Sequence, residues 1–202
     1  MIYLYGASGH AKVIIDILEK NGMPVSGLID NNPDIKTLMG YTVESGIEEI
    51  SQADYSVLIS IGNNTVRKRV SESLSTRFIN AIHPNAVLSD HISLGTGIAI
   101  MAGAVVNSDV TIGSHVILNT NCTVDHDCSI GDFVHISPNA ALAGNVEVGE
   151  GSHVGISACV IQGVKIGRWA TIGAGAVIIK DIPDYAVVVG NPGKIIKYNQ
   201  PK

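Results

Sequence analysis

The residues best suited to chemistry fall in one stretch, Asn119 to Gly144, which reads NTNCTVDHDCSIGDFVHISPNAALAG. His126 is followed directly by Asp127, and a second histidine, His135, comes nine residues later. A neutral imidazole, with an ordinary pKa of about 6.5, can take a proton near neutral pH. A carboxylate beside it fixes its tautomer and steadies the imidazolium that forms. Asp127 is placed for that task, and Asp125 is the alternative partner. A pair of this kind serves as a general base toward an amine or hydroxyl nucleophile.

These residues sit in a strict six-residue pattern. An aliphatic residue recurs at every sixth position from Ile82 through Leu88, Leu94 and Ile100 to Ile178 without a break, and four residues after each comes a small or aliphatic one. Neither a helix nor an ordinary strand has that period. Hexapeptide repetition is the mark of a parallel β-helix, in which neighbouring coils cover one another's apolar faces. Three hexads make one eighteen-residue coil, stacked at about the inter-strand spacing.

The register then makes positional predictions. Gly144 lies one coil beyond His126, where a missing side chain leaves room for a substrate to reach a backbone N–H. His135 is half a coil away from His126 and faces another side, so the two share a site only across a subunit interface. Asn119 is a candidate substrate contact, although the columns Asn119/Ser137 and Asn121/Asn139 also fit hydrogen-bonded ladders. Gly95, Gly113, Gly131, Gly149 and Gly167 recur at intervals of eighteen, a corner predicted to need positive φ. His153 stands over His135, which raises a metal alternative. No third ligand at suitable spacing is apparent and no CxxC occurs, so no metal is expected. Cys122 and Cys128 fall on inward positions and read as packed thiols.

Before the coils, residues 2–5 (IYLY) form an apolar run that ends in Gly6-Ala7-Ser8-Gly9-His10. A helical pattern follows, with apolar spacing at Val13, Ile14, Ile17 and Leu18 and a stop near Asn21-Gly22. A second strand, Val25 to Asp30, closes on an acid. This is the opening of a Rossmann-like nucleotide-binding unit, with glycines where a phosphate approaches and an acid where ribose hydroxyls would lie. The spacing is GxxGH rather than GxGxxG, which favours a mononucleotide or sugar nucleotide over a dinucleotide. Gly6, Ser8, Gly9, His10 and Asp30 are therefore the candidate substrate contacts. Tyr55 to Gly62 reads as a buried strand and Asn64 to Leu74 as a helix. Its basic run, Arg67, Lys68 and Arg69, reads as a solvated face, and Phe78 to His83 as a last strand entering the coils. The expected organisation is an α/β Rossmann-like domain over residues 1–80 and a β-helix with a C-terminal cap over 81–202.

Composition agrees with this plan. The 202 residues include 22 glycines and 46% hydrophobic residues but only 4% aromatics, which suits thin aliphatic layers and tight turns. A net charge of −5 argues against nonspecific nucleic-acid binding. No apolar run approaches a membrane span and no signal peptide precedes the first strand, so the expected location is cytoplasmic.

With its hexads, the phrases GASGHAKVIIDIL and NTNCTVDHDCSIGDFVHISPNAALAGNVEVG, and the ending DIPDYAVVVGNPGKIIK, the chain resembles the left-handed parallel β-helix acyltransferases of the PglD and NeuD type. The resemblance covers nearly the whole chain. It implies left-handed coils, a homotrimer with intersubunit active sites, and acetyl-CoA as cosubstrate. It assigns the base to His126 with Asp127 and an oxyanion-binding amide to Gly144. Acetyl-CoA contacts are implied at His135, Gly144, Ile156, Gly173, Lys180 and Lys194. The implied reaction is N-acetylation of a nucleotide-linked, UDP-type 4-amino-4,6-dideoxy sugar for bacterial glycans. O-acetylation of a sialic acid-type sugar and a noncatalytic sugar-nucleotide-binding trimer are the alternatives. The N-acetyltransferases typically carry His-Glu where this chain has His126-Asp127, so the carboxylate here is shorter.

Overall fold

The computed structural model describes residues 1–46 and 55–200. Residues 47–54, inside the expected first domain, and the final two of the closing segment lie outside the described residues.

The amino-terminal unit alternates strands and helices as its apolar periodicity demands: β1 (Ile2–Tyr5), α1 (Gly9–Lys20), β2 (Val25–Ile29), β3 (Thr37–Leu38), β4 (Tyr41–Glu44), β5 (Ser56–Ile59), α2 (Asn64–Ser73) and β6 (Arg77–Phe78). The sheet order is β3-β4-β2-β1-β5-β6, parallel throughout except for the β3–β4 pair. The chain leaves β1 toward β2 on one side and returns to β5 on the other. The crevice between the carboxyl ends of β1 and β5 is therefore the topological switch point, where sheets of this kind bind ligands.

Helix α1 departs from the expected stripe. Val13 is exposed, whereas Ala11, Ile14, Ile15, Ile17 and Leu18 are fully buried. The reason is that α1 is covered twice. Its apolar side packs on Leu4, Leu28 and Leu58 of the sheet and also on Ala81, Ala99, Met101 and Ile117 of the coils. One core therefore crosses the junction. The helix ends at Asn21, whose side-chain amide donates to Ile82 O at 2.7 Å, and Gly22 follows at φ +65°.

Phe78 to His83 is two strands rather than one. Arg77–Phe78 pairs with β5, while Ala81–Ile82 is the first rung of the coils. Asn80 makes the crossing rigid by donating to Gly95 O and accepting from Ile98 N, each at 3.0 Å.

Thereafter each hexad supplies a short strand, and the strands stack in parallel into sheets of five, six and seven members, the last extended to eight by an antiparallel edge strand. Pairing joins residues eighteen apart, as in Ile100↔Leu118↔Ile136. The two apolar positions of each hexad point inward and are almost wholly removed from water, forming a continuous column from Ile98 to Val188.

The corners correct one expectation. Positive φ falls on another column altogether, at every sixth residue from Gly97 to Gly175, and includes Asn121, Asp127, Phe133, Asn139 and Trp169. Gly95, Gly113, Gly131, Gly149 and Gly167 are not among the positive-φ residues. They are glycines because successive coils touch there: a Cβ on Gly95, Gly131 or Gly149 would lie 2.7, 2.8 or 2.7 Å from the next coil's backbone nitrogen.

After Ile178 the closing segment does two things. Ala186–Val189 adds one more parallel strand beside Thr171–Ile172, and Lys194–Tyr198 then folds back antiparallel on it. No helix among the described residues is long and apolar enough to cross a membrane.

The close-approach corner predicts an asymmetry between glycines. Gly131→Ala, forced against backbone, is expected to lower stability by about 1–3 kcal/mol. Gly163→Ala, with φ +73° and open space around it, should cost only about 1 kcal/mol. Thermal unfolding of the two variants checks this; an equal or larger loss at Gly163 would contradict the role given to the corner.

Candidate functional site

His126 sits on the turn between the coil strands Thr123–Val124 and Ser129–Ile130. The next residue, Asp127, occupies the left-handed column at φ 60°, a conformation that Asp and Asn tolerate better than most residues. That local bend brings the Asp127 carboxylate to the ring, with Nδ1 donating to Oδ2 at 2.7 Å. Asp125 has a different job: its Oδ1 accepts from the His126 backbone amide at 2.8 Å and from Asn107 Nδ2 at 2.7 Å. The choice between the two acids thus falls on Asp127. Its hydrogen bond, followed by the Asp125 charge, holds the imidazole pKa above the ordinary value. A proton on Nδ1 leaves the lone pair on Nε2, so the ring can accept a proton there.

Gly144 explains how the ring finds room. A Cβ at that position would fall 2.6 Å from His126 Cε1 and 2.8 Å from Nε2, so a glycine is needed for the imidazole itself. The Gly144 carbonyl accepts from Gly163 N and the His126 carbonyl from Asn145 N, which ties this turn to the coils beyond. Both members of the pair are open to solvent, with side-chain exposures of 60% for His126 and 59% for Asp127.

A second cluster lies at the junction of the amino-terminal unit and the coils. Gly6, at φ +110°, lets the turn after β1 lie against the turn after β5, and Ser60 Oγ donates to Gly6 O at 2.6 Å. Asp30 organises the glycine turn directly: its carboxylate accepts from Ala7 N at 2.7 Å and from Asn32 N at 2.9 Å. Ser8 caps α1 through its backbone position without a side-chain cap hydrogen bond, and nothing crowds Gly9. The start of α1 therefore presents backbone N–H groups to an open crevice.

His10 and His135 meet at this crevice. The His135 ring lies near His10 and the Gly62 carbonyl, and its Nε2 takes a hydrogen bond from Asn119 Nδ2 at 3.1 Å. It stacks face to face on His153, with ring centroids 4.8 Å apart, and His153 Nε2 in turn engages Ser137 Oγ at 2.7 Å. Burial, with nearby positive charge adding to it, pushes His10 down to about 4 and His135 down to about 3. Among the described residues, His10 Nε2 and His135 Nδ1 are buried without a hydrogen-bond partner. Both rings are thus neutral and both hold unused polar atoms.

The structure therefore gathers Gly6, Ser8, Gly9, His10, Asp30, Asn119 and His135 at one junction and places His126, Asp127 and Gly144 on another corner. His135 faces the amino-terminal unit of its own chain. Lys180 stands on the His126–Gly144 column two coils beyond Gly144, as the pairings Thr123↔Ala141↔Cys159↔Val177 require. Gly173 packs against Val189, Ile156 is exposed, and Lys194 opens the last strand. Lys165 and Arg168 are tied up in ion pairs with Glu147 and Asp184. No group of three or more His, Cys, Asp or Glu among the described residues is arranged to hold a metal ion.

One expectation fails outright. Arg67 is not part of a solvated face but is 1% exposed. Together with Asn64 and Val70 it forms the buried stripe of α2, and its guanidinium donates to the carbonyls of Ile61 and Gly62 behind the crevice. A signal was present: SIGNN before α2 repeats the strand–glycine–helix turn of YGASGH before α1.

Comparison with known proteins places the chain in a family. Residues 1–74 match the PglD N-terminal domain. A curated relative, UDP-N-acetylbacillosamine N-acetyltransferase of Bacillus subtilis (strain 168), is 39% identical over 112 residues, 50% of this chain and 51% of that protein. The chain spans between 20% and 51% of the length of the curated relatives it matches. Solved structures match almost completely. PerB from Caulobacter crescentus, in complex with CoA and GDP-perosamine, is 36% identical with a TM-score of 0.90 and 97% of each chain covered. The acetyltransferase domain of PglB from Neisseria gonorrhoeae FA1090, in complex with acetyl coenzyme A, is also 36% identical with a TM-score of 0.90, covering 96% of this chain and 98% of that one. With this likeness over both the nucleotide-binding-type unit and the coils, the chain belongs to the hexapeptide-repeat sugar N-acetyltransferases.

Proposed function

We propose that this protein transfers an acetyl group from acetyl-CoA to the amine of a nucleotide-linked amino sugar, with His126 as general base. The observation that carries the reading is the His126–Asp127–Gly144 arrangement: a carboxylate on Nδ1, a free Nε2, and a glycine that admits the ring. In this reading the sugar nitrogen attacks the thioester carbonyl carbon while Nε2 takes its proton. The oxyanion that forms is met by the Gly144 amide. The carbon–sulfur bond then breaks, and the imidazolium returns the proton to the CoA sulfur. Direct attack in a ternary complex needs no acyl-enzyme.

The acceptor is proposed to be a 4-amino-4,6-dideoxy sugar, its nucleotide seated over Gly6, Ser8, Gly9 and His10. Acetyl-CoA runs along the coils toward Ile156, Gly173, Lys180 and Lys194. The base half is open to solvent on one corner and the nucleotide half lies on another. The reading therefore includes left-handed coils assembled as a homotrimer, with His126 and Asp127 from one subunit completing a site whose His135 comes from the next. Work in the cytoplasm, where acetyl-CoA is found, completes the proposal.

Three tests follow from this geometry. His126 works as a base only when neutral, so the rate rises with pH through its pKa, which the carboxylates hold high. Asp127→Asn removes the larger influence. The acid limb of kcat/KM is then expected to move to lower pH, with the plateau about 10- to 100-fold lower because the tautomer is no longer fixed. An unmoved limb would show that another group titrates. For the shared site, His126→Ala mixed in equal amounts with His135→Ala and reassembled should recover about a quarter of wild-type turnover, the fraction of interfaces joining two intact halves. No recovery in reassembled mixed trimers would place both histidines in one subunit's site. For the acceptor, CoA release is measured across UDP-, GDP-, dTDP- and CMP-linked amino sugars and free sialic acid. Turnover of a nucleotide-linked amino sugar is expected, and activity on sialic acid alone would overturn the reading.

A further inference from the structure

Arg67 is a buried cation with no carboxylate beside it among the described residues. All five of its N–H donors are used, and every acceptor is a neutral oxygen. Nε donates to His115 O at 2.8 Å, Nη1 to Ile61 O at 3.0 Å and Gly62 O at 3.2 Å, and Nη2 to Asn64 Oδ1 and Phe133 O at 2.8 Å each. No ion pair of Arg67 occurs among the described residues. Removing an arginine from water without a counter-charge is costly, and burial alone pulls its pKa down to about 9. An apolar side chain of similar volume would avoid that cost but would leave these five acceptors without their donor.

The acceptors show what the arrangement achieves. Ile61 and Gly62 form the turn after β5, one wall of the switch-point crevice. His115 and Phe133 are consecutive rungs of the left-handed corner column, stacked with centroids 5.1 Å apart. Arg67 thus fastens the crevice wall to the coils at two heights. Asn64 extends the clamp one coil further by donating to Gly151 O and Ser152 O at 3.0 and 3.2 Å. The charge is also felt across the crevice, since Arg67 is among the causes that lower the pKa of His10, His135 and His153. With its donors saturated, Arg67 acts on a ligand through its field, which is weakly screened in a buried setting.

Resting on the reading of this crevice as the sugar-nucleotide half of the site, we propose that Arg67 is a positioning residue for that half. It holds the Ile61–Gly62 wall in register with the His10–His135 pair across the junction, and its unneutralised charge draws the ligand's phosphates there. Catalysis at His126 and the acetyl-CoA contacts at Ile156, Gly173, Lys180 and Lys194 do not pass through it.

Steady-state kinetics and direct binding of UDP and GDP, measured on the assembled protein, test this. Arg67→Lys keeps the charge but cannot span five carbonyl contacts, and is expected to raise the sugar-nucleotide KM about tenfold. Arg67→Gln loses charge and clamp together and is expected to raise it about a hundredfold. The KM for acetyl-CoA should stay within about twofold in both. Should Arg67→Gln fail to assemble, Asn64→Asp sets a carboxylate against Nη2 with Arg67 in place. That variant is expected to weaken nucleotide binding about tenfold. Wild-type protein that binds neither the nucleotides nor a sugar nucleotide would overturn the reading of the crevice and the phosphate role with it. Wild-type binding that persists unchanged in folded Arg67→Lys and Asn64→Asp would overturn the role of Arg67 alone. A loss confined to kcat, or an equal rise in both KM values, would reduce Arg67 to a structural residue.

Discussion

The inter-coil ladder is the constraint on which the rest depends. Parallel pairing with a repeat of eighteen residues turns sequence distance into height, and position within the hexad into direction. Each hexad has two inward places, both aliphatic or small, and a left-handed turn that must be accommodated at every corner. Chemistry is left to the few outward positions. His126 at a corner beside an Asp in the left-handed conformation, with a glycine one coil on, is a solution that this ladder permits and a globular core would not supply so directly.

The amino-terminal unit is joined to that ladder by apolar packing and by polar clamping, and the two do different work. Helix α1 gives its buried face jointly to the sheet and to the coils, which makes the junction one hydrophobic body. Asn64 and Arg67 then fix its register through carbonyl groups of successive turns, where apolar contacts are nondirectional. The crevice between β1 and β5 consequently has one wall defined by the coils. The His10–His135 pair belongs half to each unit, so the pair exists only while the two are docked.

Much of this was legible in the sequence because the governing periods are exact. A six-residue repeat gives the coils, the inward residues and the column partners of His126 with simple arithmetic, and the glycine turn after the first strand locates the crevice. What could not be read was anything that depended on how the two units meet. Val13 and Ile15 exchange places because a second surface covers α1, and Phe78 to His83 breaks in two because it passes from one sheet to another. Arg67 looked solvated because its neighbours Lys68 and Arg69 share its charge. Only the docked coils turn its side of α2 inward. Spacing marks the glycine column as a corner where a small residue recurs, but it does not show whether torsion or contact requires it.

The strand that folds back at the carboxyl end bears on a problem that any stacked coil faces, which is where growth stops. A ladder of parallel rungs is a template at both ends for another copy of itself. At the first rung, Asn21 occupies the Ile82 carbonyl and α1 covers the approach. At the far end the sheet finishes on Lys194–Tyr198, an antiparallel edge that reverses the polarity a further parallel rung would need. Its exposed Ile195, Ile196 and Tyr198 would be adhesive, but Lys194 and Lys197 interrupt them with charge that two such edges cannot bring together cheaply. The same segment that adds the last parallel strand therefore also caps the sheet it extends.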